Sequence, residues 1–155
     1  MRYVFVYGTL RRGEQRDINL LLPTPIFVGY GQTPGVLYDL VAYPGVRLGG
    51  GQLVHGEVYQ IGPELERELD EIEEVWPQQT GEYTRQAVRV AFTGASIGSG
   101  PGAGQTCLVY EISDERTSSM PVIASGDWCD RQPRGEVKMP LKISPFNNSF
   151  PYREK

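Results

Sequence analysis

The sequence has one histidine, His55, and two cysteines, Cys107 and Cys129, among 155 residues. A metal site needing two imidazoles is thereby excluded. Any Ser-His or Cys-His dyad would have to use His55, which sits in "LVHGEVYQI", an alternating pattern that predicts a strand and a structural imidazole. The cysteines make no C-x-x-C motif, so the expectation is a reduced, cytoplasmic protein. Positive charge is also scarce. A net charge of −4 gives no electrostatic footprint for nucleic acid and no polybasic segment for an anionic membrane. No apolar run approaches the ~18 residues of a spanning helix, and residues 3–6 are too short a run for a secretion signal.

What remains is a soluble globular profile, 39% hydrophobic and 22% charged. The length suits one domain with a sizeable core. Residues 1–139 read as that domain, and residues 140–155, "PLKISPFNNSFPYREK", as a tail with little periodicity.

Residues 3–7 read as a buried strand. Ile18, Leu20, Leu21 and Leu22 suggest a short helix that Pro23 ends. "IFVGYGQTPGVLYDL" suggests two strands around a turn, "YPGVRLGGG" a turn-rich stretch, and "GQLVHGEVYQI" a strand. "RQAVRVAF" and "QTCLVYEI" are two more strands, joined by the glycine-rich "TGASIGSGPGAG". A dinucleotide loop must lie between a strand and a helix; here a strand follows, so the glycines predict a long hairpin connector. No Lys-Ser/Thr pair follows them, which also disfavours a nucleoside triphosphate site.

"GPELERELDEIEEVW" is helical. Pro63 takes the first helical position, and Glu64 and Glu66 suit the positive helix end. Leu65, Leu69, Ile72 and Trp76 form one apolar stripe, and Pro77 ends the helix. Many short strands, one definite helix and frequent glycine turns predict an α+β fold with a small curved sheet or barrel.

Two features carry candidate chemistry. In "VFVYGTLRRG" the first strand breaks at Tyr7-Gly8-Thr9-Leu10. Backbone amides there can converge on a carboxylate or an oxyanion, although the same residues also suit an ordinary turn. Arg11 and Arg12 would suit a carboxylate clamp. On the helix, Asp70, Glu71 and Glu74 fall away from the apolar stripe, whereas Glu68 and Glu73 sit at its edges. A half-buried glutamate there would have a raised pKa and serve as a general base. Periodicity does not choose between the two.

"VFVYGTLRRG", "HGEVYQI", "LDEIEEV" with its downstream "YTR", and "CLVYEI" together resemble the gamma-glutamylcyclotransferase superfamily. The nearest branch is that of gamma-glutamylamine cyclotransferase and the bacterial AIG2-like proteins. The resemblance runs from about Tyr3 to about Asp130. It implies a small mixed β-barrel flanked by helices and a cofactor-independent enzyme that closes a gamma-glutamyl group to 5-oxoproline and frees an amine. It places the catalytic glutamate of the Leu-Asp-x-x-Glu pattern on Glu73, and substrate binding on Tyr7, Gly8, Thr9, Leu10 and Tyr110. By the same resemblance this loop is used mainly through its backbone, so Arg11 and Arg12 are expected to be solvated. Tyr83 and Trp128, the latter in a Gly126-Asp127-Trp128 element, are further pocket residues by the same resemblance. The implied partner is a small gamma-glutamyl molecule. The stretches 74–83 and 94–104 are longer than is usual in the family; the first could form a lip over the pocket. The other reading is a non-catalytic binding or regulatory protein on the same barrel.

Overall fold

A computed structural model describes residues 2–73, 80–93 and 103–130. The expected tail at 140–155 and most of the 74–83 and 94–104 stretches lie outside the described residues. Five strands close into a mixed barrel: β1 (Arg2–Val6), β2 (Ile26–Asp39), β3 (Pro44–Ile61), β4 (Tyr83–Thr93) and β5 (Gly104–Ile112), in the order β1-β3-β2-β4-β5 with β3 also pairing β5. One helix, α1 (Pro63–Ile72), follows β3. The α+β mixed barrel is as expected. No described helix is long and apolar enough to cross a membrane.

Two elements differ from the sequence reading. The "IFVGYGQTPGVLYDL" stretch is one bent strand, with register shifts at Phe27/Gly29 and Pro34/Gly35. The "YPGVRLGGG" stretch is strand as well. Pro34 pairs with Leu53 while Gly35 pairs with Leu48, so residues 49–52 bulge out of β3. Gly49 and Gly50, at φ +94° and +93°, absorb the extra chain in a conformation that costs glycine little. Alternation is kept on both sides of the bulge, and turn-forming residues therefore ended up inside a strand. The segment at 18–22 is only one tight turn, Ile18–Leu20, in which Ile18 is buried and Leu20 exposed.

β4 and β5 pair antiparallel from Tyr83↔Ile112 to Ala91↔Gly104, so a strand does follow the glycine-rich connector. β1 alternates between two apolar layers. Val4 and Val6 pack with Leu65 and Leu69 of α1; Phe5 and Tyr7 pack with Val54, Val58, Val109 and Trp128. Both helix leucines are fully buried, each contributing about 1.5–3 kcal/mol.

The loop after β1 is held by a buried charge network. Arg11 was expected to be solvated, but it is 7% exposed. Its Nε donates to Glu57 Oε2 at 3.1 Å and its guanidinium to Asp127 Oδ1 at 2.7 Å. Glu57 Oε1 accepts from the Arg12 amide at 3.0 Å and from the Tyr59 hydroxyl at 2.8 Å. Arg12 is exposed as expected, with its guanidinium over the Phe27 ring. Gly126 takes φ +73°, and a Cβ there would run into the Leu53 carbonyl. Its own carbonyl accepts from the His55 amide at 2.8 Å, so this strand histidine helps anchor the 125–130 segment.

Removing the guanidinium should strand Glu57 without its counter-ion. Arg11→Met is expected to lower stability by about 3–5 kcal/mol, and Arg11→Met with Glu57→Leu to recover most of that. Urea unfolding checks both; a single-variant loss below about 1 kcal/mol would show that the network is not the anchor.

Candidate active site

The turn after β1 opens onto a cavity of about 340 Å³. β1 ends at Val6, and the Arg11 amide closes a tight turn on the Gly8 carbonyl at 3.0 Å. The Arg16 and Ile18 amides then reach back to the Thr9 and Leu10 carbonyls, both at 2.8 Å. The three carbonyls of Gly8, Thr9 and Leu10 are thus used. Among the described residues, the three amides of the same residues have no protein acceptor. All three residues line the cavity. A run of unpaired amides is a ready site for negative charge.

Gly8 is required here by packing. A Cβ would sit 2.5 Å from Cγ of Pro44, the first residue of β3 and another lining residue. The absence of a side chain therefore lets the loop lie against the β2–β3 hairpin.

The opposite character comes from tyrosines and one carboxylate. Tyr7, Tyr43, Tyr83 and Tyr110 line the cavity together with Glu73. Each hydroxyl proton is already committed. Tyr7 donates to the Tyr110 carbonyl at 2.7 Å, Tyr83 to the Pro44 carbonyl at 2.9 Å, and Tyr43 to Glu82 at 2.5 Å. Tyr110 donates to Asp70 Oδ1 at 2.6 Å. A tyrosine whose proton is spent can offer a ligand only lone pairs. Burial, and then the Glu73 charge, push the Tyr7 hydroxyl well above its ordinary pKa; burial, Tyr7 and Glu73 do the same to Tyr83. Burial and the hydrogen bond to Asp70 push Tyr110 up as well. These protons stay in place at physiological pH.

Glu73 is half-buried and follows directly on α1, its amide bonded to the Leu69 carbonyl at 2.9 Å. Glu68 is exposed and does not line the cavity. Of the two glutamates that periodicity left open, Glu73 is the one that lines the cavity. Asp70 overturns the expectation of a solvated side chain. It is 7% exposed, between Tyr110 and Arg85, whose Nη1 donates to Asp70 Oδ2 at 2.7 Å. Arg85 also pairs with Glu66, which Arg2 meets at 3.0 Å.

Tyr7, Gly8, Thr9, Leu10, Glu73, Tyr83 and Tyr110 are thus brought to one cavity. Trp128 is not. It is 1% exposed within the second apolar layer, and its indole N–H reaches Glu14 Oε1 at 3.1 Å. With Asp127 it fixes the outside of the loop, so its effect on the cavity is indirect. Neither cysteine lines the cavity and both are free thiols. Burial pushes Cys107 up to about 12, the state of an inert core thiol. His55 also lies elsewhere. Sequence reasoning missed Glu57, Arg16 and Tyr43. Only Glu57 left a signal: it is in phase with Tyr59 and Ile61, which makes it a carboxylate on an apolar strand face.

Residues 4–130 match the family described as "Gamma-glutamyl cyclotransferase, AIG2-like". A putative gamma-glutamylcyclotransferase of Vibrio cholerae is 37% identical over 130 residues, covering 83% of this chain and 96% of that protein. Rat gamma-glutamylaminecyclotransferase is 31% identical over 122 residues, covering 73% of this chain and 79% of that one. The crystal structure of a mouse AIG2-like protein superposes with a TM-score of 0.65 at 26% identity, over 93% of this chain and 99% of the other. The cavity-lining Tyr7-Gly8-Thr9-Leu10 turn and Glu73 both fall inside the matched region, and the chain belongs to the AIG2-like gamma-glutamyl cyclotransferase family.

Proposed function

We propose that the protein is a cofactor-independent gamma-glutamyl cyclotransferase, converting a gamma-glutamyl amine or amino acid to 5-oxoproline and a free amine. The observation that carries this reading is the polarity of the cavity. Unpaired amides line it at Gly8–Leu10, while acceptor-only tyrosines line it together with Glu73. A free α-amino acid head has the complementary pair, a carboxylate and an ammonium.

In this reading the ammonium lies among Tyr7, Tyr110 and Glu73. Glu73 takes one proton from it. The freed amine attacks the side-chain amide carbon, and the new C–N bond closes a five-membered ring. The carbonyl becomes an oxyanion near the loop amides. Collapse restores the carbonyl and breaks the original C–N bond: Glu73 gives its proton to the departing nitrogen and takes the second proton from the ring nitrogen, and that proton leaves with the freed amine as its ammonium. Nucleophile and electrophile belong to one molecule, so the entropic cost of bringing them together is largely met by the substrate. The protein supplies folding of the substrate chain, proton transfer and charge stabilisation. Free thiols at Cys107 and Cys129 suit a reducing compartment such as the cytoplasm.

Glu73→Gln is expected to keep the fold and ligand binding but lose about 10²–10⁴ in turnover, because an amide cannot accept the ammonium proton. Glu68→Gln, on the exposed helix face, should stay within a few-fold of wild type. Release of 5-oxoproline from a panel of gamma-glutamyl compounds is the measurement. Equal activity in both variants would sink the role of Glu73. Tight binding without turnover by the wild type would indicate a binding protein instead.

Asp70→Asn tests the acceptor wall. An asparagine amide can donate to the Tyr110 oxygen and turn the phenolic proton toward the cavity. KM should rise about tenfold, the scale of one charge-assisted hydrogen bond. Tyr110→Phe should do the same, and the double variant should be no worse than either single. Additive losses would mean that Asp70 acts by another route.

A further inference from the structure

The cavity has a buried floor and an exposed rim. Tyr7, Tyr83 and Tyr110 are at most 7% exposed. Gln15 and Ala42, also in the lining, are exposed, and Arg16 is half-buried. Arg16 is held in place through its backbone, whose amide donates to the Thr9 carbonyl at 2.8 Å. Its guanidinium has no acceptor among the described residues, although acids flank it in the chain. Glu14 is turned to Trp128 and Cys129. Asp17 accepts from the amides of Gly13 and Asn19 and from the Asn19 side chain. Among the described residues, the cavity lining contains one carboxylate, Glu73, and one arginine, Arg16.

We propose that Arg16 selects the leaving group: it binds a carboxylate on the departing amine, so the preferred substrates are gamma-glutamyl amino acids or gamma-glutamyl peptides and not gamma-glutamyl polyamines. This rests on the cyclotransferase reading. The reacting head has to reach Glu73 and the tyrosines, which puts it toward the floor. The loop amides at Gly8–Leu10 provide for its own carboxylate or for the oxyanion. The departing amine then extends to the rim, where Arg16 is the available cation among the described residues. A guanidinium with unspent donors favours a carboxylate there and opposes a second ammonium.

The decisive comparison uses gamma-glutamyl-alanine and gamma-glutamyl-ethylamide, which differ only by the carboxylate of the leaving amine. The wild type should favour the alanine compound about tenfold or more in kcat/KM. Arg16→Gln should bring that ratio close to one by lowering kcat/KM for the alanine compound alone. Arg16→Glu should move preference toward gamma-glutamyl-putrescine. Equal losses on both compounds would overturn the proposal and assign Arg16 to the carboxylate of the glutamyl head. An unchanged ratio would overturn it outright. Calorimetric binding of the two compounds to Glu73→Gln, with and without Arg16→Gln, reads the same ratio without turnover. A wild type that turns over neither compound while Arg16→Gln still erases the binding preference would reject the catalytic reading and keep the role of Arg16. No preference in binding or in turnover would reject the role of Arg16.

Discussion

Everything at the candidate site depends on a buried guanidinium. Arg11 joins three distant parts of the chain: the loop after β1, Glu57 in the second half of β3, and Asp127 near the end of the described chain. A charge so buried is costly unless its donors are matched. Here they are matched by Glu57, which also holds the Arg12 amide and the Tyr59 hydroxyl. The Trp128 indole bonded to Glu14 closes the outside of the same loop. The loop is thereby fixed from behind, by interactions its own cavity-facing amides do not share. That division allows donors to be left unpaired toward a cavity without losing the loop's shape. Pre-positioned donors of this kind need no reorganisation when charge develops in front of them.

The tyrosines follow the same logic in reverse. A tyrosine hydroxyl is ambidextrous, and an ambidextrous wall would bind either end of a zwitterion. Committing each proton to a carbonyl or carboxylate removes that ambiguity. Asp70 is central because its two oxygens are divided between Tyr110 and Arg85. Arg85 answers the negative charge that would otherwise sit buried behind the cavity. The Leu-Asp-x-x-Glu helix and the Tyr-x-Arg at the start of β4 are thus one structural unit: Asp70 meets Arg85, while Glu73 and Tyr83 line the cavity.

Much of the fold was legible because burial enforces periodicity. β1, β4, β5 and α1 each read out as apolar repeats, and the structure keeps them, with α1 ending at Ile72; the expected stripe residue Trp76 and the stop at Pro77 lie outside the described residues. The misread parts were those where glycine and proline serve a strand. Residues 49–52 carry every mark of a turn, yet they are a bulge that leaves the pairing of β2 and β3 intact on both sides. Polar positions were less legible still. Arg11 and Asp70 look solvated in any local pattern, since their burial is decided by partners 46 and 40 residues away. Trp128 was misassigned for the opposite reason. A nearby motif marks a site, but the large apolar ring serves the layer behind it.

On the proposed reading, the separation of floor from rim divides recognition of the glutamyl head from recognition of the leaving amine. The floor is bound into the core: Tyr7 and Tyr110 are joined by a hydrogen bond, and each packs in one of the two apolar layers. A change there is felt through the whole barrel, because close-packed interiors transmit strain. Arg16 is bound to the loop only through its backbone among the described residues, so its side chain can be exchanged while the Thr9 contact stays. Chemistry common to all substrates belongs where the structure is hardest to alter. Discrimination among leaving groups belongs where a side chain can change without disturbing a neighbour, and the rim beside Gln15 and Ala42 is such a place.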